Sequence, residues 1–241
     1  MIKFALSKEQ RLHFEKHHFL EIEGMLESEQ LQLLKNEIHG LTRQSSSKID
    51  EWVTLSETEK QYANGRDLWR KSTAIKKFAL SKQLAKIASD LTGIKFLRFG
   101  YDQFLPSIAL PAHSTPEEST SKYSFWIKKK APLGEHSSIQ GVVSGLLLCL
   151  NNPESEFTVP SVDNSIFSST AGNIIFFSSE KEVNFSELQK RPGQEFFLIT
   201  YAEKVSIYVH NENDPHLHAF KQLGYVFGDR LKDDINPVLC R

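Results

Sequence analysis

The feature that most constrains this chain is a change of hydrophobic period near Gly93. Before it, apolar residues recur every three or four positions; after it they come in short runs rich in β-branched and aromatic residues, separated by Gly, Pro, Asn and Ser. The first pattern builds one face of a helix and the second is the grammar of strands. Helices followed by many strands point to an α+β fold rather than alternating βαβ units.

In the helical part, Ser7 with Gln10 forms a capping-box pattern ahead of Leu12 and Phe14. Ser28 stands where an N-cap belongs, and Leu31, Leu34, Ile38 and Leu41 follow at helical spacing. Thr42 to Gly65 is polar and reads as a surface loop with one turn begun by Ser56 and Glu59. Ser81 opens a helix with Leu84, Ile87, Ala88 and Leu91 on one face, and Gly93 supplies its stop.

Strands are expected near Ile94–Tyr101, Tyr123–Lys128, Val142–Leu150, Ile174–Phe177, Phe196–Tyr201 and Ser206–His210. Six strands with irregular connections favour a jelly roll, with the N-terminal helices packed on it. The expected organisation is one domain over 1–241, mainly helical to 93 and jelly-roll core from 94. Leu105–Ser121 is a long Pro- and Ser-rich loop holding His113, and a loop of that length is either functional or disordered.

Charge excludes one class of partner. Twenty-nine Lys and Arg against 30 Asp and Glu leave a net charge of −1, so no global positive field gathers nucleic acid. Lys128-Lys129-Lys130 reads as a solvated loop flank beside Trp126. The longest apolar stretch, Val142–Leu150, falls far short of the roughly 20 residues a membrane-spanning helix needs. The start of the chain lacks the apolar core of a secretory signal, and a cytoplasmic protein is expected. Two cysteines, Cys149 and Cys240, make neither a disulfide framework nor metal spacing, and Cys149 reads as a buried small hydrophobe. No P-loop, Rossmann glycine pattern or nucleophile elbow is present.

Several stretches together carry a family resemblance. Ser7-Lys8-Glu9-Gln10 through Phe14, then Phe19-Leu20-Glu21-Ile22-Glu23-Gly24-Met25-Leu26 and the helix from Ser28, give an opening helix, a short strand and a second helix. Val142–Asn152, Ala171-Gly172-Asn173-Ile174-Ile175-Phe176-Phe177, and Arg191 with Phe196–Tyr201 continue the pattern. In this order they resemble the phytanoyl-CoA dioxygenase family, a branch of the iron(II)/2-oxoglutarate oxygenases built on a double-stranded β-helix.

The resemblance implies a facial triad, His-x-Asp on one strand and a distant His on another. Here the first position falls on His136, with Ser138 where the carboxylate belongs; the distal His position falls on Val183, beside Asn184. Arg191 matches by spacing the Arg that pairs the distal carboxylate of 2-oxoglutarate, and a turn-stabilising Arg beside Pro192-Gly193 is the alternative. The expectation is therefore an oxygenase scaffold without its iron centre and with no cofactor. It would bind a small carboxylate or acyl ligand, or an unidentified protein, around Arg191, Gln140 and Asp102. The alternative is an active iron(II)/2-oxoglutarate oxygenase with ligands drawn from His113, His136, His210, His216 and His218 together with Glu135 or Asp214.

Other candidates rest on residue chemistry alone. His216 and His218 would share a face on a strand and could then hold a metal, but Pro215 before them favours a turn. Gly65-Arg66-Asp67-Leu68-Trp69-Arg70 can clamp an anionic ligand or tie a loop to the barrel. Asp102, expected at the end of the first barrel strand, either orients a ligand or caps a turn. His17 and His18 read as surface residues closing an exposed helix.

Overall fold

The computed structural model describes residues 5–43, 55–107, 130–153 and 165–240, apart from the side chains of Gln189 and Lys190. Helix α1 (Lys8–His17) begins where the capping box placed it: Ser7 Oγ accepts the Gln10 N–H at 3.2 Å, and Gln10 Oε1 accepts the Ser7 N–H at 2.9 Å. Strand β1 (Phe19–Ile22) follows, then α2 (Ser28–Thr42). The cap of α2 is Glu27 rather than Ser28, which is already helical.

The expected loop 42–65 holds a full helix, α3 (Glu57–Asn64), whose box is the Ser56 and Glu59 pair. A short α4 (Thr73–Ala79) was not legible in the sequence. Seven residues carry too little pattern, and burial of Ile75 and Phe78 stabilises it instead. Helix α5 (Lys82–Thr92) has the Ser81 cap and the Gly93 stop, the glycine at φ +73° in the left-handed region that spares a Cβ clash.

The strands are β2 (Leu97–Leu105), β3 (Lys130–Pro132), β4 (Ile139–Cys149), β5 (Ile174–Ser178), β6 (Glu182–Asn184), β7 (Phe196–Tyr208) and β8 (Val238–Cys240). Six form an antiparallel sheet in the order β1-β5-β4-β7-β2-β8, and β3 pairs with β6 apart from it. The architecture is α+β, a double-stranded β-helix bearing helices. The expected strands 196–201 and 206–210 fall on one strand, which ends at Tyr208; Glu203 pairs with Leu97 of β2, and Ile207 pairs with Gln140 of β4. The expected strand 123–128 and most of the 105–121 loop, with His113, lie outside the described residues.

Side chains alternate across the large sheet. Leu146, Leu148, Ile174, Phe176, Phe197 and Ile199 pack outward against Ile38, Ile75, Phe78, Leu84 and Ile87 of the helices. Leu147, Cys149, Ile175, Phe177 and Leu198 face inward against Val183, Phe185 and Leu188. Each of these fully buried aliphatic and aromatic side chains stabilises the fold by about 1.5–3 kcal/mol. Gly145 lies opposite Phe177 in the register, and a Cβ there would sit 2.2 Å from the ring.

Candidate functional site

The inner face turns polar at one end of β2. A bulge between Phe99 and Asp102 in the pairing with β7 leaves the Tyr101 N–H without a ladder partner, and it donates to Thr200 Oγ1 at 2.9 Å. The chain leaving α3 runs beside this irregular stretch. Phe104 N–H donates to Gly65 O at 2.8 Å, Asp67 N–H donates to Asp102 O at 3.2 Å, and Arg66 bridges Gln103 in antiparallel fashion. Gly65 permits this approach, since a Cβ would fall 2.8 Å from that of Phe104. Directly opposed residues carry their side chains on one face, so Arg66 and Gln103 project from the same side of this bridge.

Arg66 is the unusual member. Its side chain is 6% exposed, and its Cζ lies 3.3 Å from the centroid of the Tyr101 ring. Its Nη2 is 4.0 Å from Asp214 Oδ2, an ion pair too long for a hydrogen bond. Its Nε has no hydrogen-bond partner. Burial works against the guanidinium's charge, but Asp214, Tyr101 and Asp67 outweigh it and hold the pKa above its ordinary value. The Asp214 carboxylate is itself held by two backbone amides: Oδ2 accepts the Ser138 N–H and Oδ1 the His216 N–H, each at 2.8 Å.

Gln103 has a fixed orientation. Its Nε2 donates to Tyr62 O and to Phe104 O, both at 2.8 Å, so both amide hydrogens are committed and Oε1 is left buried without a partner. Together Tyr62, Arg66, Tyr101, Gln103, His136 and Phe185 line a cavity of about 20 Å³. His136 is buried, its ring edge-on to Phe185 at 5.4 Å. Beside the cavity, the Ser138 hydroxyl is buried with no partner.

Asp102 lies mid-strand rather than at a strand end. It is fully buried and accepts the N–H groups of Leu68 and Trp69 at 2.7 and 2.8 Å, so it caps the 3₁₀ turn Leu68–Arg70 from across the sheet. Burial, with Asp67 alongside, pushes its carboxyl up to about 8. Asp67 is raised as well, chiefly by burial. The structure bears out the loop-tying reading of the Gly65–Arg70 segment, since the Leu68 and Trp69 amides are bonded to Asp102 of β2, and Arg66 lines the cavity.

The remaining candidates are dispersed. Arg191 is buried at the entry to β7, where its Nη1 donates to Gln194 Oε1 at 3.3 Å and its Nη2 to Ser165 Oγ at 3.5 Å, and the guanidinium lies 6.0 Å from the Phe167 ring. Burial lowers its pKa despite Glu187. Gln140 is exposed, because the alternation that buries Ile139 turns it outward, and it is not part of the cavity. His216 and His218 occupy turns rather than a strand and do not share a face: His216 packs on Tyr62 at 5.4 Å, and His218 is exposed. His210 is exposed against Phe227, and Glu135 is exposed with its carbonyl accepting from Asn211. Cys149 is buried, and its thiol is pushed up to about 12 by that burial.

Among the described residues, no three His, Cys, Asp or Glu side chains converge as metal ligands. His136 stands near the small sheet, where Val183 pairs with Ala131, and the hydroxyl of Ser138 follows it. The three positions that the family resemblance assigns to the triad carry one imidazole, one hydroxyl and one isopropyl group, and these three by themselves are not an iron donor set.

No family model matches the chain, and no curated sequence does either. Solved structures do. The chain is similar over 97% of its length to 96% of the non-heme alpha ketoglutarate dependent carbocyclase SnoK from nogalamycin biosynthesis, at 13% identity and a TM-score of 0.63. It is similar over 97% of its length to 98% of the non-heme alpha ketoglutarate dependent epimerase SnoN from the same biosynthesis, at 14% identity and a TM-score of 0.59. The fold is that of the 2-oxoglutarate-dependent oxygenases. Among the described residues, no helix is long and apolar enough to cross a membrane.

Sequence reasoning named Arg66 but missed Tyr62, Tyr101 and Gln103 as its companions. The available signal was Gln103, a polar residue inside an otherwise apolar strand and buried in the structure.

Proposed function

We propose that this chain uses the barrel of an oxygenase scaffold to bind a small carboxylate-bearing ligand without an iron centre. The observation that carries this reading is Arg66, a buried guanidinium facing the cavity with an unpartnered Nε and only a distant counter-ion. A guanidinium fork is matched to a carboxylate, and in a low-dielectric pocket such a pair is strong. Tyr62, Phe185 and Leu198 supply apolar walls for the rest of the ligand. Arg191 is a second anchor in this proposal, deeper among the Phe167 and Gln194 contacts. The kinship nearest this reading is with phytanoyl-CoA dioxygenases, on the motifs from Ser7 to Phe14 and Ala171 to Phe177. The cytoplasm is the proposed compartment, with no nucleic acid or membrane as partner.

A second reading is favoured by the fold it shares with enzymes described as alpha ketoglutarate dependent. The chain would then be an active oxygenase requiring iron(II) and 2-oxoglutarate, with His136 and Asp214 joined by a donor outside the described residues, such as His113. Anaerobic calorimetry with 2-oxoglutarate, with and without iron(II), followed by a succinate assay in air, separates the two. Metal-independent binding without succinate supports the first, and stoichiometric succinate eliminates it.

A further inference from the structure

Resting on the carboxylate-binding reading, we infer that the cavity selects a hydroxy acid over a 2-oxo acid, with Arg66 taking the carboxylate and Gln103 the hydroxyl. Two unsatisfied groups of opposite character belong to residues that line the same cavity: the Arg66 Nε–H is a donor and Gln103 Oε1 an acceptor, both buried, on opposed residues of one antiparallel bridge. Neither residue can satisfy itself by turning. The two amide hydrogens of Gln103 are held by the carbonyls of Tyr62 and Phe104, which prevents a flip that would present a donor. Arg66 lies over the Tyr101 ring, and Asp214, which is bonded to two backbone amides, lies 4.0 Å away.

A ligand complementary to this pair presents an anionic acceptor and a hydrogen-bond donor on neighbouring atoms, which is the arrangement in a 2-hydroxy acid. A ketone at that position sets its oxygen against Gln103 Oε1, acceptor facing acceptor, and leaves the amide oxygen unpaired. Sites built around a buried polar group discriminate strongly against ligands that leave it unpaired. In this inference only the carboxylate and hydroxyl end enters the cavity of about 20 Å³, and the remainder of the ligand lies outside it. The guanidinium supplies the positive charge for the carboxylate, so no metal enters this recognition.

The test titrates 2-hydroxyglutarate and lactate, against 2-oxoglutarate and pyruvate, into EDTA-treated full-length protein by calorimetry, and repeats each titration with iron(II) under argon. Each hydroxy acid is expected to bind at least ten-fold tighter than its oxo counterpart, with iron(II) changing neither. Arg66→Gln should weaken both by ten-fold or more, and Gln103→Met should reduce the preference to within two-fold. A readout on the wild type guards against variants that do not fold. In ¹⁵N-resolved spectra of the arginine side chains, the Arg66 Nε–H resonance, assigned by its loss in Arg66→Lys, should move on addition of 2-hydroxyglutarate. Preference for the oxo acids, a requirement for iron(II), or binding that leaves this resonance in place each overturns the inference while the carboxylate reading stands. If none of the four acids binds with or without iron(II), the carboxylate reading itself fails.

Discussion

The two faces of the large sheet solve different problems with the same strands. On the helix side, Leu146, Leu148, Phe176, Phe197 and Ile199 meet the helices in an almost wholly apolar layer. Buried polar atoms without hydrogen-bond partners occur on this side too, among them the Tyr201 hydroxyl and the Trp69 indole N–H. On the barrel side, the unsatisfied groups gather: Arg66 and Gln103 line one cavity and Ser138 lies beside it. Each buried unpaired polar group costs about 1–3 kcal/mol. In the carboxylate-binding proposal, this cost on residues of one cavity makes the barrel face the working face and the helix face its support.

That contrast can be broken at several points. The largest effect belongs to the helix side: Phe176→Ala should cost about 3–5 kcal/mol of stability in urea unfolding by removing a fully buried ring. A loss below about 1 kcal/mol would show that this layer is not the supporting core. Gly145→Ala should cost about 1–3 kcal/mol, since its methyl is directed at the Phe177 ring. Unchanged thermal stability would mean that the ring can yield and that the interior is looser than the register implies.

A pH titration probes the seam between the two faces, where Asp102 ties the Leu68–Arg70 turn to β2. Its carboxyl is raised from 3.8 to about 8 in the folded protein, chiefly by burial, so the folded state holds a proton that the unfolded chain has already released at neutral pH. Stability from this group is complete below about pH 4 and is lost as pH rises through about 8. The Tm should therefore fall between pH 6 and pH 9, and Asp102→Asn should flatten that slope. A wild-type Tm that rises over this range would reverse the sign and refute the protonated seam. The smallest effect is expected at Ser138→Ala, where a hydroxyl without partners is removed; stability should stay within about 0.5 kcal/mol or rise. A clear loss would mean that this hydroxyl is satisfied in solution, weakening the contrast between the faces.

Local signals were legible wherever one residue speaks to another a turn away. The Ser7 and Gln10 box, the Ser56 and Glu59 box, and the Ser81 to Gly93 limits of α5 all stand in the structure. The same logic placed His216 and His218 in turns, because Pro215 interrupts any strand there. It failed where a pairing partner decides the outcome. Glu203 and Lys204 look like a loop, yet β7 runs through them, since β2 holds Glu203 in register with Leu97. Gln140, expected near a ligand, is turned outward by its place in β4.

The sequence by itself determined the helical first part, the strand-rich remainder, the α+β class and the residue types available to the barrel, because capping and periodicity are local properties of the chain. Only the tertiary structure decided that Arg66 lies against Gln103 and Tyr101 while Asp214, far along the chain, stops short of it at 4.0 Å. That arrangement depends on a bulge in β2, on a glycine with no room for a side chain, and on a carboxylate already committed to two backbone amides. Such contacts join distant segments, and their geometry exists only once the sheet has closed.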